Sequence, residues 1–338
     1  MSTTRRWPRV VLSIAVAAAL LGAVVWLADL EDLSRRLRSA DLSMLALSLL
    51  AYAGTYVARA RRYAAVGARA SMPTLLAVTT VHTALNRVMP LRTGELSYPV
   101  MTRRIGAASV GEGLVQLLII RIVDAATVPV LFLLALGLAL ALGLADLGPG
   151  RDALVVAAVV IVGVAVVALA RLAWFLRLVL GVARRLASVF RGALRDRAFE
   201  LLDRASTAVT VVTEMGPGRR LLVVLWSVAN WVGYFVTFHF ILLALDVEMP
   251  FLRSVLGSSA AIVGSTLPIT ALGTFGALEG GWTAGFVAVG LDAGTAASTA
   301  IVMSGVTLVF SMLLAPFGWW YLSRSGSARP SSGERESV

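Results

Sequence analysis

Asn86-Arg87-Val88-Met89-Pro90-Leu91-Arg92-Thr93-Gly94-Glu95 places two arginines, a glutamate, a proline and a glycine inside an otherwise apolar region. A charge at the bilayer centre costs on the order of 2.5–3.5 kcal/mol on insertion scales, so such residues face a bundle interior or a watery cavity. Pro90 and Gly94 interrupt the helix, and broken backbone at membrane depth survives only when buried in protein or lining a cavity. A second interrupted stretch, Leu267-Pro268-Ile269-Thr270-Ala271-Leu272-Gly273-Thr274-Phe275-Gly276-Ala277-Leu278-Glu279, lies in the C-terminal half. Two broken, charge-bearing segments in corresponding halves point to a transport site.

The rest of the chain supports a membrane setting. Its 338 residues are 58% hydrophobic and 14% charged, with a mean hydropathy of +0.85. That balance excludes an ordinary soluble domain and predicts an all-α, polytopic helical membrane protein. There is no cysteine, so disulfides, thiolate metal sites and cysteine nucleophiles are excluded. There is no lysine, so the cationic side chains other than the two histidines are all arginine, and the net charge is +11. The arginines cluster between apolar spans, which the positive-inside rule explains without a nucleic-acid partner.

Apolar runs of spanning length occur at about 10–28, 42–58, 114–144, 153–170, 221–245 and 298–322, giving about six full spans. Residues 73–100 and 254–290 are expected to be two re-entrant or broken-helix hairpins, with a full span at 276–290 as the alternative for the second. Arginine placement puts residues 5–9, 59–69, 103–104, 171–220 and 324–335 in the cytoplasm, with both termini cytoplasmic. The first hairpin then enters from the cytoplasm and the second from outside, the pattern of an inverted repeat. Residues 1–322 are expected to form a single transmembrane domain of the cytoplasmic (inner) membrane. Its repeat halves would be 40–170 and 221–322, joined by an amphipathic connector at 171–220 and followed by a disordered tail at 323–338.

The candidate site residues follow from charge and helix breaks. Arg87 and Arg92 offer forked, always-charged donors that match a phosphate-like headgroup. Glu95 suits a counter-ion, a proton carrier or an amine ligand. Arg121 and Asp124 stand three apart and share a helix face, so they can pair; Asp124 is expected to lock helices together, while Arg121 stays open to substrate. Glu279 is an intramembrane acid with hydroxyls such as Thr270 upstream and Trp282 beside it, a functional arrangement by default. Pro90, Gly94, Pro268, Gly273 and Gly276 are expected to shape the breaks and allow close packing. His82 and His239 are single residues suited to helix contacts, and no metal or cofactor site is expected.

At these residues the chain resembles the lysylphosphatidylglycerol synthase transmembrane family, flippase-like membrane proteins, over roughly residues 10–322. The resemblance is carried by Asn86, Pro90, Arg92, Gly94 and Glu95, then Arg121 and Asp124, then Pro268, Gly273, Gly276 and Glu279. Many relatives carry arginine three residues after the first glutamate, where this chain has Tyr98. Asn86 and Tyr98 thereby join the expected substrate-binding set. In the namesake proteins this membrane module is joined to a cytosolic aminoacyl-transfer domain and is implicated in moving the modified lipid between leaflets. That domain is missing here, so the resemblance implies translocation rather than synthesis.

No Walker loop, dinucleotide fingerprint, zinc-binding helix or nucleophile elbow occurs, and no enzyme activity is expected. The expected function is translocation of a lipid or lipid-linked anionic substrate, with membrane lipids as partners. The alternative is a non-catalytic scaffold for an envelope glycosyltransferase or acyltransferase, organised through residues 171–220. An intramembrane transferase is the weakest reading.

Overall fold

The structure, a computed structural model, describes residues 30–89, 93–144, 172–189, 215–266 and 276–325, with a few isolated positions between them. The spans expected at 10–28 and 153–170, together with Pro90, Arg92, Pro268, Thr270 and Gly273, lie outside the described residues, as does the tail beyond Ser325.

The described residues form ten α-helices and one short 3-10 turn. They are α1 (Leu30–Arg38), α2 (Leu42–Ala65), α3 (Met72–Val88), the 3-10 turn Thr93–Leu96, α4 (Ser97–Arg104) and α5 (Val110–Ala141). After these come α6 (Leu172–Ala187), α7 (Pro217–Ala244), α8 (Phe251–Thr266), α9 (Ala277–Ala288) and α10 (Ala293–Ser325). Four of them, α2, α5, α7 and α10, are long and apolar enough to cross a bilayer. The chain is a multi-pass helical membrane protein. At 12 residues, α9 reaches only about 18 Å along its axis, too short to cross a hydrocarbon core of roughly 30 Å. The alternative of a full span at 276–290 is therefore set aside.

Local chemistry explains where the helices start. Asp41 caps α2 by accepting from the amide of Ser43 at 2.7 Å. At α5, Ser109 and Glu112 form a capping box, each side chain accepting from the other residue's amide, at 3.2 and 2.6 Å. Several helix ends are closed by arginines from elsewhere in the chain. Arg219 donates to the carbonyl of Ala65 at the end of α2. Arg253 donates to Leu144 just past α5, and Arg36 to Leu245 just past α7. These cations meet the orphan carbonyls and the negative end of each helix dipole. The Arg36 bond is a local reason for a cation at that end of the bundle.

The helices α2 and α7 pack antiparallel and form the centre of the bundle. The amide of Asp41 bonds the carbonyl of Ala244 at one end, and Arg219 reaches Ala65 at the other. Each interrupted segment doubles back as a helical hairpin. In α3–α4, Gly94 sits against Asn86 and Ser97 bonds His82, so residue numbers rise on one arm as they fall on the other. Its base lies at the Ala65–Arg219 end, where the amide of Arg69 bonds the carbonyl of Ala107. In α8–α9, Gly257 faces Gly285 and Ala260 faces Gly281. Its base lies at the opposite end, where Arg253 meets Leu144. Beyond these, α3 packs on α10 and α5 on α8.

One expectation about topology changes. Residues 59–69 were assigned to a cytoplasmic loop on their arginines, but α2 continues to Ala65. Arg59 and Arg62 are turned inward, and Arg62 is buried at 4% exposure. The helix persists because Ser48, Tyr52, Thr55, Tyr56, Arg62 and Tyr63 form one buried polar and aromatic face that the neighbouring helices cover.

The α8–α9 hairpin depends on missing side chains. A Cβ on Gly285 would lie 2.1 Å from the carbonyl oxygen of Gly257, so any side chain would force the arms apart. We predict that Gly285→Ala destabilises the protein by about 1–3 kcal/mol, the usual cost of overpacking. Gly137→Ala, in α5 where nothing lies within 4 Å, should be neutral or stabilising. Thermal unfolding of both variants in detergent checks this, and equal behaviour would contradict the packing described.

Candidate functional site

Arms of both hairpins meet α2, α5 and α7 around a cavity of about 140 Å³. Arg59 and Arg62 enter it from α2, Asn86 and Arg87 from α3, and Arg121 and Asp124 from α5. Asn230, Trp231 and Tyr234 of α7 complete the polar wall, while Ile262 of α8 and Leu278 of α9 make the wall apolar on the second hairpin's side. Arg121 stands eleven residues into α5, about 16 Å along its axis, so the cavity lies well inside the bundle.

Each guanidinium is held differently. Arg62 donates to Asp124 at 2.5 Å, with the two side chains 4% and 11% exposed. The same carboxylate oxygen accepts from the Trp231 indole at 2.9 Å, so Asp124 ties α5 to both α2 and α7. Arg121 pairs with Glu95 at 2.6 Å in a more open setting, 44% and 27% exposed. The two α5 residues that share a helix face therefore bond apart, one inward to α2 and one to the first hairpin. The reason is that each finds a closer opposite charge on another helix.

Arg59 has neutral partners: Asn230 Oδ1 at 3.1 Å, Thr83 Oγ1 at 2.9 Å and the Tyr234 hydroxyl at 2.5 Å. Because an arginine Nε–H can only donate, the oxygen of the Asn230 amide must face it, which leaves Nδ2 turned elsewhere. That Nδ2 has no hydrogen-bond partner among the described residues, nor has Arg62 Nε or Asn86 Oδ1. Asn230 is 1% exposed. A buried polar atom left unpaired costs about 1–3 kcal/mol, so native structures rarely leave one unpaired.

The remaining expected residues have other settings. Gly94 lies against α3, where a Cβ would come within 2.5 Å of Asn86 Cα, so only glycine allows this approach. Tyr98 is fully buried, donates to Gln116 at 2.7 Å and stacks on Tyr63 at 4.0 Å. His82 bonds the Ser97 hydroxyl at 2.9 Å. Glu279 is buried at 1% exposure. Its Oε2 accepts from the amide of Gly276 at 2.6 Å, closing the start of α9, and its Oε1 accepts from Ser304 of α10. Gly276 itself has φ +93°, a conformation few side chains allow. Trp282 is fully buried, donates to Thr299 at 3.1 Å and meets Phe238 edge-on at 5.3 Å. Neither Glu279 nor Trp282 lines the cavity. Among the described residues no group of three or more acids, histidines or cysteines is placed to hold a metal.

Reasoning from the sequence passed over Arg59, Arg62, Asn230 and Tyr234. The signal in α2 was present: Thr55, Arg59 and Arg62 recur at intervals of four and three, with Tyr52, Tyr56 and Tyr63 alongside, which marks one polar helix face. In α7, Asn230 and Tyr234 stand four apart in an apolar helix and carry the same periodicity.

Two comparisons with known proteins bear on this site. The family model described as the lysylphosphatidylglycerol synthase TM region matches residues 10–315. A search of curated proteins gave no match.

Removing one member of a buried ion pair strands the other's charge. We expect Arg62→Met to destabilise the protein by about 3–5 kcal/mol, with Arg62→Met/Asp124→Leu recovering a large part of the loss. Chemical unfolding of the three proteins in detergent micelles measures the coupling; additive losses would mean that the pair does not hold α2 to α5.

Proposed function

The chain belongs to the lysylphosphatidylglycerol synthase transmembrane family, and from that premise we propose that it translocates a lipid or lipid-linked anionic substrate across the cytoplasmic membrane. The observation that carries this reading is the arginine-rich cavity between the hairpin arms and α2, α5 and α7. Four guanidinium groups border it, and among the described residues two carboxylates pair with them. Such an excess of positive charge within a low-dielectric bundle favours an anion.

The helix order supports an alternating-access mechanism. A long helix, a short arm, a break, a second short arm and a long helix occur twice, as α2–α5 and again as α7–α10. Corresponding lengths are 24 and 28 residues for the first helix, 17 and 16 for the first arm, and 32 and 33 for the last helix. These matching lengths, with hairpin bases at opposite ends, support an inverted repeat whose two re-entrant hairpins meet at the substrate. The acyl chains stay in the bilayer while the headgroup passes through the cavity. The half-exposed Arg121–Glu95 pair stands at the mouth, where an arriving anion competes with Glu95. No nucleotide-binding motif is present, so movement is downhill or ion-coupled, and no bond is made or broken.

The Ala65–Arg219 end faces the cytoplasm in this reading. Helix α6 then lies on the inner leaflet: Trp174, Leu178, Val182 and Leu186 form an exposed apolar stripe at four-residue spacing, flanked by Arg177, Arg184 and Arg185.

Leaflet exchange of fluorescent anionic lipids in liposomes tests the reading. Wild type should accelerate exchange, while Arg59→Gln and Arg87→Gln should each slow it at least tenfold. Undiminished exchange in both variants would move the site elsewhere. Failure of the wild type across phosphatidic acid, phosphatidylglycerol and polyprenyl phosphate would remove the translocase reading.

A further inference from the structure

We infer that the cavity is built for a phosphomonoester, a terminal phosphate group carrying close to two negative charges. The inference rests on the cavity proposed above as the transport site and names the chemistry of its ligand. Two of the four arginines are already neutralised, Arg62 by Asp124 and Arg121 by Glu95. The other two, Arg59 and Arg87, have no carboxylate within ion-pair distance among the described residues. Two uncompensated guanidinium groups match the charge of a phosphomonoester, about −1.5 to −2 near neutral pH, better than the single charge of a diester.

The unpaired atoms point the same way. Asn230 Nδ2 and Arg62 Nε are buried donors without acceptors, and Asn86 Oδ1 is a buried acceptor without a donor. A phosphate with three free oxygens supplies acceptors to both donors and to a forked arginine. A diester has only two free oxygens and a single charge, one acceptor and one charge fewer than these groups can use. A zwitterionic headgroup adds a cation to an already cationic cavity.

Binding to the whole protein in phosphatidylcholine nanodiscs tests this, with phosphatidic acid as the monoester and phosphatidylmethanol of the same acyl chains as the diester. Phosphatidic acid should bind at least tenfold more tightly. Arg87→Gln should shrink that preference at least fivefold; Arg87 holds no other described residue by a hydrogen bond or ion pair, so the variant should fold, as its melting temperature will show. Equal affinity for the two lipids, or a folded Arg87→Gln protein with its preference intact, overturns the inference. Inorganic phosphate separates two sources of the same chemistry. If it displaces phosphatidic acid at comparable concentration, the site serves free phosphate; if it does not, the site serves a lipid headgroup. Lipid exchange without monoester preference would overturn this inference alone, whereas monoester binding without exchange would overturn only the translocase reading.

Discussion

A guanidinium group keeps its charge when water is withdrawn, so every arginine drawn into a membrane bundle dictates its own neighbours. Arg62 does this most strongly. Its bond to Asp124, with Trp231 on the same oxygen, brings α2, α5 and α7 to one point. Arg59 then spans α2, α3 and α7 through Thr83, Asn230 and Tyr234. The cavity is what remains between helices whose separation is set by these side chains, and its charge follows from the same bonds.

The two hairpins contribute differently to that space. The second is close-packed along its arms, with Gly257 facing Gly285 and Trp282 and Phe286 filling the core beside them. Glu279 is used locally, closing α9 and holding Ser304 of α10. The first hairpin brings Asn86 and Arg87 to the cavity and Glu95 to its edge, with Gly94 allowing the return arm to lie against α3. One hairpin shapes the wall and the other supplies the polar groups.

Much of this was legible in the amino-acid order. Hydropathy located the four described spanning helices, and proline and glycine marked both breaks, after Val88 and after Thr266. The cavity was only partly legible. Arg59 and Arg62 were assigned to a loop because arginine ends most apolar runs, whereas here a polar face carries the helix on to Ala65. The partners of Arg121 and Asp124 depend on which helices become neighbours, information that spacing along one helix does not contain. Asn230 was overlooked because a lone amide in an apolar helix acquires meaning only when Arg59 arrives from another helix.

The four cavity-lining arginines, Arg59, Arg62, Arg87 and Arg121, have a chemical consequence. Imidazole and amine groups can lose a proton when buried, but guanidinium groups cannot do so near neutral pH. The attraction exerted by Arg59 and Arg87 is therefore constant across physiological acidity. A phosphomonoester guest, by contrast, changes its own charge near pH 6.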